Sequence, residues 1–275
     1  MAQPQAFLDK LDSQWIDKKF LCVGLDTDYD KLPESVTKGV SKSVAMFNFN
    51  KAIIDATKDL VLGFKVQNAF YEAEGAEGYD ALKKTADYLK ETAPDVIAIL
   101  DAKRADIANT NMGYVKSAFD ELGFDAITIH PYLGREAVMP FLARSEKGVF
   151  VLVRTSNPGA AEFQDLIVDG EPLYKRVAKN VATEWNKNGN CGVVVGATYP
   201  GELEEVREIV GEMPILIPGI GAQGGDAGEA YKLGKNSRGA GVLIAAARSI
   251  IFASHGPDFA DAARMAAEKT AQSIS

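Results

Sequence analysis

The segment VIAILDAKRADIANTNMGYVKSAFDELGFDAITIHP, residues 96–131, carries the reading of the fold. It opens on a nearly continuous apolar run (96–102), passes through a charged stretch and closes on a second apolar run (125–131). In between, IANTNMGYVKSAFDELG places apolar residues at helical spacing. Strands that alternate apolar and polar residues cover one face of a sheet, whereas unbroken Val/Ile/Leu runs suit strands buried on both faces. The segment therefore predicts a strand, a crossover helix and a second, parallel strand.

Working outward, the same unit recurs. FLCVGLD (20–26), LVLGFKV (60–66), GVFVLVRT (148–155), CGVVVGA (191–197), PILIPGI (214–220) and AGVLIAA (240–246) bring the number of apolar runs to eight. Amphipathic stretches such as SVAMFNFNKAIIDATKDL, GYDALKKTADYLKETA and PGELEEVREIVGE lie between them. Eight βα units in 275 residues point to a closed (β/α)8 TIM barrel spanning residues 1–275 as a single domain. The competing open, doubly wound sheet would carry fewer strands and a nucleotide fingerprint after the first. No Ser/Gly-rich linker, like-charge run or short repeat divides the chain.

Composition narrows the function. A net charge of −8 and a pI near 5.0 argue against a nucleic-acid partner, although one local positive site would suffice for a small phosphorylated ligand. No membrane span and no secretory leader is expected, which suggests a cytoplasmic protein. Cys22 and Cys191 sit in apolar runs without metal or redox spacing and read as buried, inert thiols. With His130 and His255 as the only histidines, a zinc site or a Ser-His-Asp nucleophile is not expected. Any chemistry has to rest on carboxylates, lysines and backbone.

In such barrels the chemistry lies where strands end and βα loops begin. Those positions hold Asp26, Lys65, Asp101 with Lys103, His130, Thr155 with Ser156, Gly196, Gly219 with Gln223, and Arg248. Asp101 and Lys103 are two apart, so an extended strand would aim both at the barrel mouth, with Ala102 toward the helices. Asp106 stands where the chain turns into helix and is either an N-cap or a further acid of the site. The charges could form an ion-pair network that ties strands together. Dehydrating several charges costs several kcal/mol each, however, so a functional array is the better explanation. PILIPGIGAQGGDAGEA after the seventh run is glycine-rich, and Arg248 follows the eighth. Glycines serve turns anywhere, but with an adjacent arginine they suit a phosphate, bound by backbone N–H groups and a guanidinium fork. His130 and the Met46, Phe47 and Phe49 cluster read as structural.

Taken together, GLD (24–26), GFKVQNAFYE around Lys65, LDAKRADIANT, TSNPGA, VVGAT, IPGIGAQGGD and ARSI resemble, in order and over nearly the whole chain, the longer form of orotidine 5′-phosphate decarboxylase. The resemblance implies a homodimeric barrel with shared active sites that converts orotidine 5′-phosphate to uridine 5′-phosphate and CO2 in de novo pyrimidine biosynthesis, without cofactor or metal. By position, Lys103 matches the proton donor and Asp101 the carboxylate beside the substrate's own. Asp106 matches the acid supplied across the dimer interface, accompanied by Ile107 and Thr110. Asp26 and Lys65 match the groups that contact the ribose hydroxyls and complete the charge array. Ser156 matches the pyrimidine contact and Gln223 and Arg248 the phosphate grip, and Pro218 to Gln223 match the start of a mobile loop that closes over the ligand. One departure is Ala247 before Arg248, where many members have glycine. The alternative is a Mg-dependent sugar-phosphate decarboxylase or aldolase on the same scaffold, which would want an acid where Lys65 stands. A Schiff-base lyase and a non-catalytic nucleotide sensor complete the field.

Overall fold

The computed structural model describes residues 7–274. Eight parallel strands close into a barrel: β1 (Leu21–Leu25), β2 (Gly63–Gln67), β3 (Ile97–Arg104), β4 (Ala126–Ile129), β5 (Gly148–Arg154), β8 (Cys191–Val195), β9 (Ile215–Ile217) and β10 (Val242–Ala246). They follow one another around the ring in chain order, and β10 pairs with β1. Each grows out of one of the eight apolar runs. Two further short strands, β6 (Ile167–Val168) and β7 (Glu171–Pro172), form an antiparallel hairpin outside the barrel. This hairpin lies outside the eight apolar runs, although the chain carries a signal for it. Asp169 and Gly170 both have positive φ (53° and 83°), the requirement of the Asp-Gly turns that favour two-residue hairpins.

Local chemistry sets the helix ends. Ser41 accepts a hydrogen bond from the Val44 N–H to cap helix Lys42–Thr57, and Asp226 accepts one from Glu229 N–H to cap Ala227–Gly234. Helix Pro200–Val210 starts on proline and stops at Gly211, whose φ is 59°. Met46, Phe49, Ile53 and Ile54 of helix Lys42–Thr57 are fully buried, and Phe49 stacks on Phe259 at 5.0 Å between ring centroids. Burial of such side chains is worth about 1.5–3 kcal/mol each.

The first helix, Phe7–Ile16, closes one end of the barrel. Phe7 fills the space left by Gly148 at the start of β5, and Trp15 donates to the Val242 carbonyl at the start of β10 at 2.9 Å. With the N-terminal ends of the strands covered, the opposite mouth is left for chemistry. No helix among the described residues is long and apolar enough to cross a membrane.

Candidate active site

Asp101 is the centre of the mouth. Its side chain retains 9% exposure and accepts four hydrogen bonds. Oδ1 takes the Lys103 ammonium at 2.6 Å and the Thr128 hydroxyl at 2.7 Å; Oδ2 takes the Lys65 ammonium and the Gln67 amide, each at 3.0 Å. Lys65, buried, also reaches Asp26 Oδ1 at 3.3 Å. Acid and base thus alternate from Asp26 through Lys65 and Asp101 to Lys103. Burial alone would raise the Asp101 carboxyl, but the two ammonium groups and the Thr128 hydroxyl outweigh it and hold the group well below the usual carboxylate range. For Lys65 burial alone would favour the neutral amine, yet Asp101 and Asp26 push it above the ordinary lysine value. Asp101 and Lys65 therefore face each other as an ion pair at neutral pH.

Two expectations about this cluster need correction. Lys103 does not continue an extended strand. Its φ is 48°, and the pairing of β3 with β4 shifts register between Leu100 and Arg104. A bulge, rather than strand alternation, aims its ammonium at the mouth, where the side chain stays 44% exposed. Lys65 likewise sits in the middle of β2 and not at its end, and the strand's last residue is Gln67.

Asp106 lies between β3 and the helix that follows it. Among the described residues it forms no ion pair with Lys103, and its Oδ1 accepts from the adjacent Ile107 N–H at 2.6 Å. The following helix begins at Ala108 without a side-chain cap, so Asp106 is not an N-cap. Buried Asn111 fixes the loop, accepting from Asp106 N–H at 2.8 Å and donating to the Asp106 and Ala137 carbonyls. His130 also approaches this loop, with Nε2 3.1 Å from the Ala105 carbonyl, which is a structural use. Ile107 is 58% exposed and Thr110 is exposed as well, while Asp106 is half-buried, so Ile107 and Thr110 face outward from the segment that follows Lys103.

The other side of the mouth is built by glycines. Gly219, Gly221 and Gly224 have φ of 100°, 69° and 91°, values that side chains with a Cβ avoid, so IPGIGAQGG can turn back on itself after β9. The turn brings the Gln223 Oε1 within 2.7 Å of the Ser156 hydroxyl, which donates to it, joining the loops after β5 and β9. Pro218 leads into the turn, and its carbonyl accepts from Ala197 N–H at 2.8 Å. Arg248 opens the short helix after β10 and is exposed. Among the described residues its guanidinium has no hydrogen-bond or ion-pair partner. Ala247 fits because its neighbour on β1 is glycine: a Cβ on Gly24 would lie 2.5 Å from the Ala247 Cβ and 3.2 Å from Asp26 Oδ1. That contact places the Arg248 loop next to Asp26, and so next to the charged array.

Around the rim, the structure therefore brings together Asp26, Lys65, Asp101 and Lys103 as one cluster and Ser156 with Gln223 as a second, and the residue after Arg248 borders the glycine turn, where a Cβ on Gly221 would lie 2.9 Å from Ser249 Oγ. Cys22 and Cys191 are buried and free, and burial pushes both thiols up to about 12, in keeping with inert core roles. Thr128, Gln67 and Asn111 were missed. Thr and Gln inside or at the end of an apolar run are the only traces they left in the sequence.

The model of the orotidine 5′-phosphate decarboxylase / HUMPS family matches residues 19–264. The chain is 47% identical over 270 residues to the orotidine 5′-phosphate decarboxylase of Cellvibrio japonicus, covering 98% of both chains. It is 48% identical over 269 residues to that of Azoarcus sp. strain BH72, again covering 98% of both. Among solved structures, the OMP decarboxylase of Leishmania donovani superposes with a TM-score of 0.83 at 33% identity, covering 98% of each chain. The UMP synthase of the same organism gives 0.84 at 35% identity over 98% of this chain and 56% of that one.

Proposed function

We infer that this chain, which belongs to the orotidine 5′-phosphate decarboxylase / HUMPS family, is a carboxy-lyase that converts orotidine 5′-phosphate to uridine 5′-phosphate and CO2. The observation that carries the chemistry is the Lys103 ammonium held at 2.6 Å from the Asp101 carboxylate at the barrel mouth. Loss of CO2 breaks the bond from C6 of the pyrimidine to its carboxyl carbon and leaves the electron pair on C6. That pair has little delocalisation, so a fixed cation beside C6 is what the reaction needs most. Lys103 supplies the cation and then gives a proton to C6. Asp101 stands beside the substrate carboxylate, and their mutual repulsion is relieved as CO2 departs uncharged.

Magnitudes show why the mouth has to close. An ammonium roughly 4 Å from a developing carbanion is worth about 1 kcal/mol in water but about 4 kcal/mol at the effective dielectric of a protein site. The phosphate end provides the means. Arg248, without a partner among the described residues and beside the glycine turn, grips the phosphate together with Gln223 and the loop amides, while Ser156 meets the pyrimidine and Asp26 and Lys65 the ribose hydroxyls. Closure over the ligand of the loop that starts at Pro218 to Gln223 then excludes water, so binding energy far from C6 lowers the barrier at C6. Each chain of a homodimer completes its partner's site with Asp106, Ile107 and Thr110. The enzyme works in the cytoplasm without a cofactor.

The fall in ultraviolet absorbance as orotidine 5′-phosphate is consumed tests this directly. Turnover is expected, whereas tight nucleotide binding with no absorbance change would overturn it. The Mg-dependent alternative is disfavoured by the donor set. Lys65 lies between Asp26 and Asp101, at 3.3 and 3.0 Å, where its charge would repel a divalent ion.

Arg248→Ala tests the phosphate end. Losing a charge-assisted hydrogen bond of about 1.5–3 kcal/mol should weaken uridine 5′-phosphate binding roughly 10- to 150-fold. Uridine binding should barely change. Calorimetry with both ligands checks this, and equal losses for the two would contradict the assignment.

A further inference from the structure

We infer that Thr128 is a positioning residue for the decarboxylation; the inference rests on the reading above and concerns how Lys103 is held. Leu100 pairs with Ile127 and Arg104 with Ile129, so Asp101, Ala102 and Lys103 of β3 all stand opposite the single residue Thr128 of β4. A surplus of this kind bends a strand and turns its side chains away from simple alternation. Here it leaves Lys103 at φ 48°, a backbone region that a lysine seldom occupies unless its surroundings impose it.

The Thr128 hydroxyl is the group that imposes it. It accepts from the Lys103 backbone N–H at 3.0 Å and donates to Asp101 Oδ1 at 2.7 Å, the same oxygen that the Lys103 ammonium reaches at 2.6 Å. One buried oxygen atom therefore ties down both ends of the bulge and one corner of the ion pair. Only a group that donates and accepts at once can do this, which a hydroxyl does and a methyl does not. Threonine also has few accessible rotamers, so its oxygen is held in place. Lys65 and Gln67 secure the other carboxylate oxygen from β2 and leave the bulge itself untouched. Without the hydroxyl, the Lys103 N–H loses its acceptor and Asp101 Oδ1 loses a donor, so the bulge is free to relax and carry the ammonium away from C6. The phosphate and ribose contacts lie on other loops, so the effect should fall on the chemical step rather than on binding.

Thr128→Val and Thr128→Ser, assayed beside wild type with orotidine 5′-phosphate, test the inference. Displacement of a catalytic group by a fraction of an ångström to an ångström predicts a fall in kcat of about 10- to 100-fold for Thr128→Val, with KM within about threefold. Thr128→Ser keeps the hydroxyl and should return kcat to within about threefold of wild type by the same reasoning. A purely structural role would lower thermal stability without this split between kcat and KM and without rescue by serine. Wild-type turnover matched by Thr128→Val overturns the inference alone, as does a serine variant no faster than the valine one. A wild-type chain that binds nucleotide but does not decarboxylate overturns the proposed function and this inference together. If Thr128→Val does not fold, Thr128→Ala removes the same oxygen without pressing a methyl against Asp101, and carries the same expected and contradicting results.

Discussion

Lys103→Ala is expected to give a folded chain that still binds uridine 5′-phosphate but turns over orotidine 5′-phosphate at least about 10⁴-fold more slowly, since it loses both the general acid and the cation that stabilises the carbanion. The fold should tolerate the change because the side chain is 44% exposed and its contacts are with the mouth rather than the core. Asp101 remains anchored by Lys65, Gln67 and Thr128, so the substitution does not leave a buried carboxylate without partners. Single-turnover absorbance measurements report the chemical step, and calorimetry with uridine 5′-phosphate reports binding. Turnover within tenfold of wild type would end the assignment of Lys103 as proton donor. Loss of binding together with turnover would place Lys103 in ligand recognition instead.

The second large effect is a recovery of activity. Asp106 forms no ion pair with its own chain's Lys103, yet it sits with exposed Ile107 and Thr110 in the segment that follows Lys103. If that group completes the partner's site, Lys103→Ala and Asp106→Ala homodimers should each be severely impaired, while a mixture that exchanges subunits should not. In a heterodimer one site combines both defects. The other pairs an intact Lys103 with an intact Asp106 from the partner. Random pairing makes half of the dimers mixed, each with one sound site, so roughly a quarter of wild-type activity should return under two-fold symmetry. Co-refolding or co-expression followed by the absorbance assay checks this. No recovery, in a sample shown by sedimentation to contain mixed dimers, would contradict shared sites.

How far the sequence could be read depended on the kind of interaction. The eight barrel strands were legible because each is covered on both faces and has to be apolar almost throughout. Asp26, Asp101 and Lys103, which the structure gathers around Lys65, stood out because charges at the close of such runs have no place in a core. The β6–β7 hairpin was overlooked despite its Asp-Gly turn, because Ile167 and Val168 form too short a run to stand out beside the barrel strands. Asn111 was passed over because an asparagine in the first turn of a helix is unremarkable until the Asp106 loop folds back onto it.

By itself, then, the order of residues determined the barrel and the inventory of its mouth, because burial on two faces and the helical period are properties of consecutive residues. The tertiary structure alone decided how that inventory is aimed. The bulge that puts three residues opposite Thr128, the left-handed Lys103, the four donors gathered on Asp101 and the fit of Ala247 against Gly24 all depend on register between strands distant in sequence. Register is set by the closure of the whole ring, in which a shift of one residue changes which side chains face inward, and no local stretch of the chain encodes it.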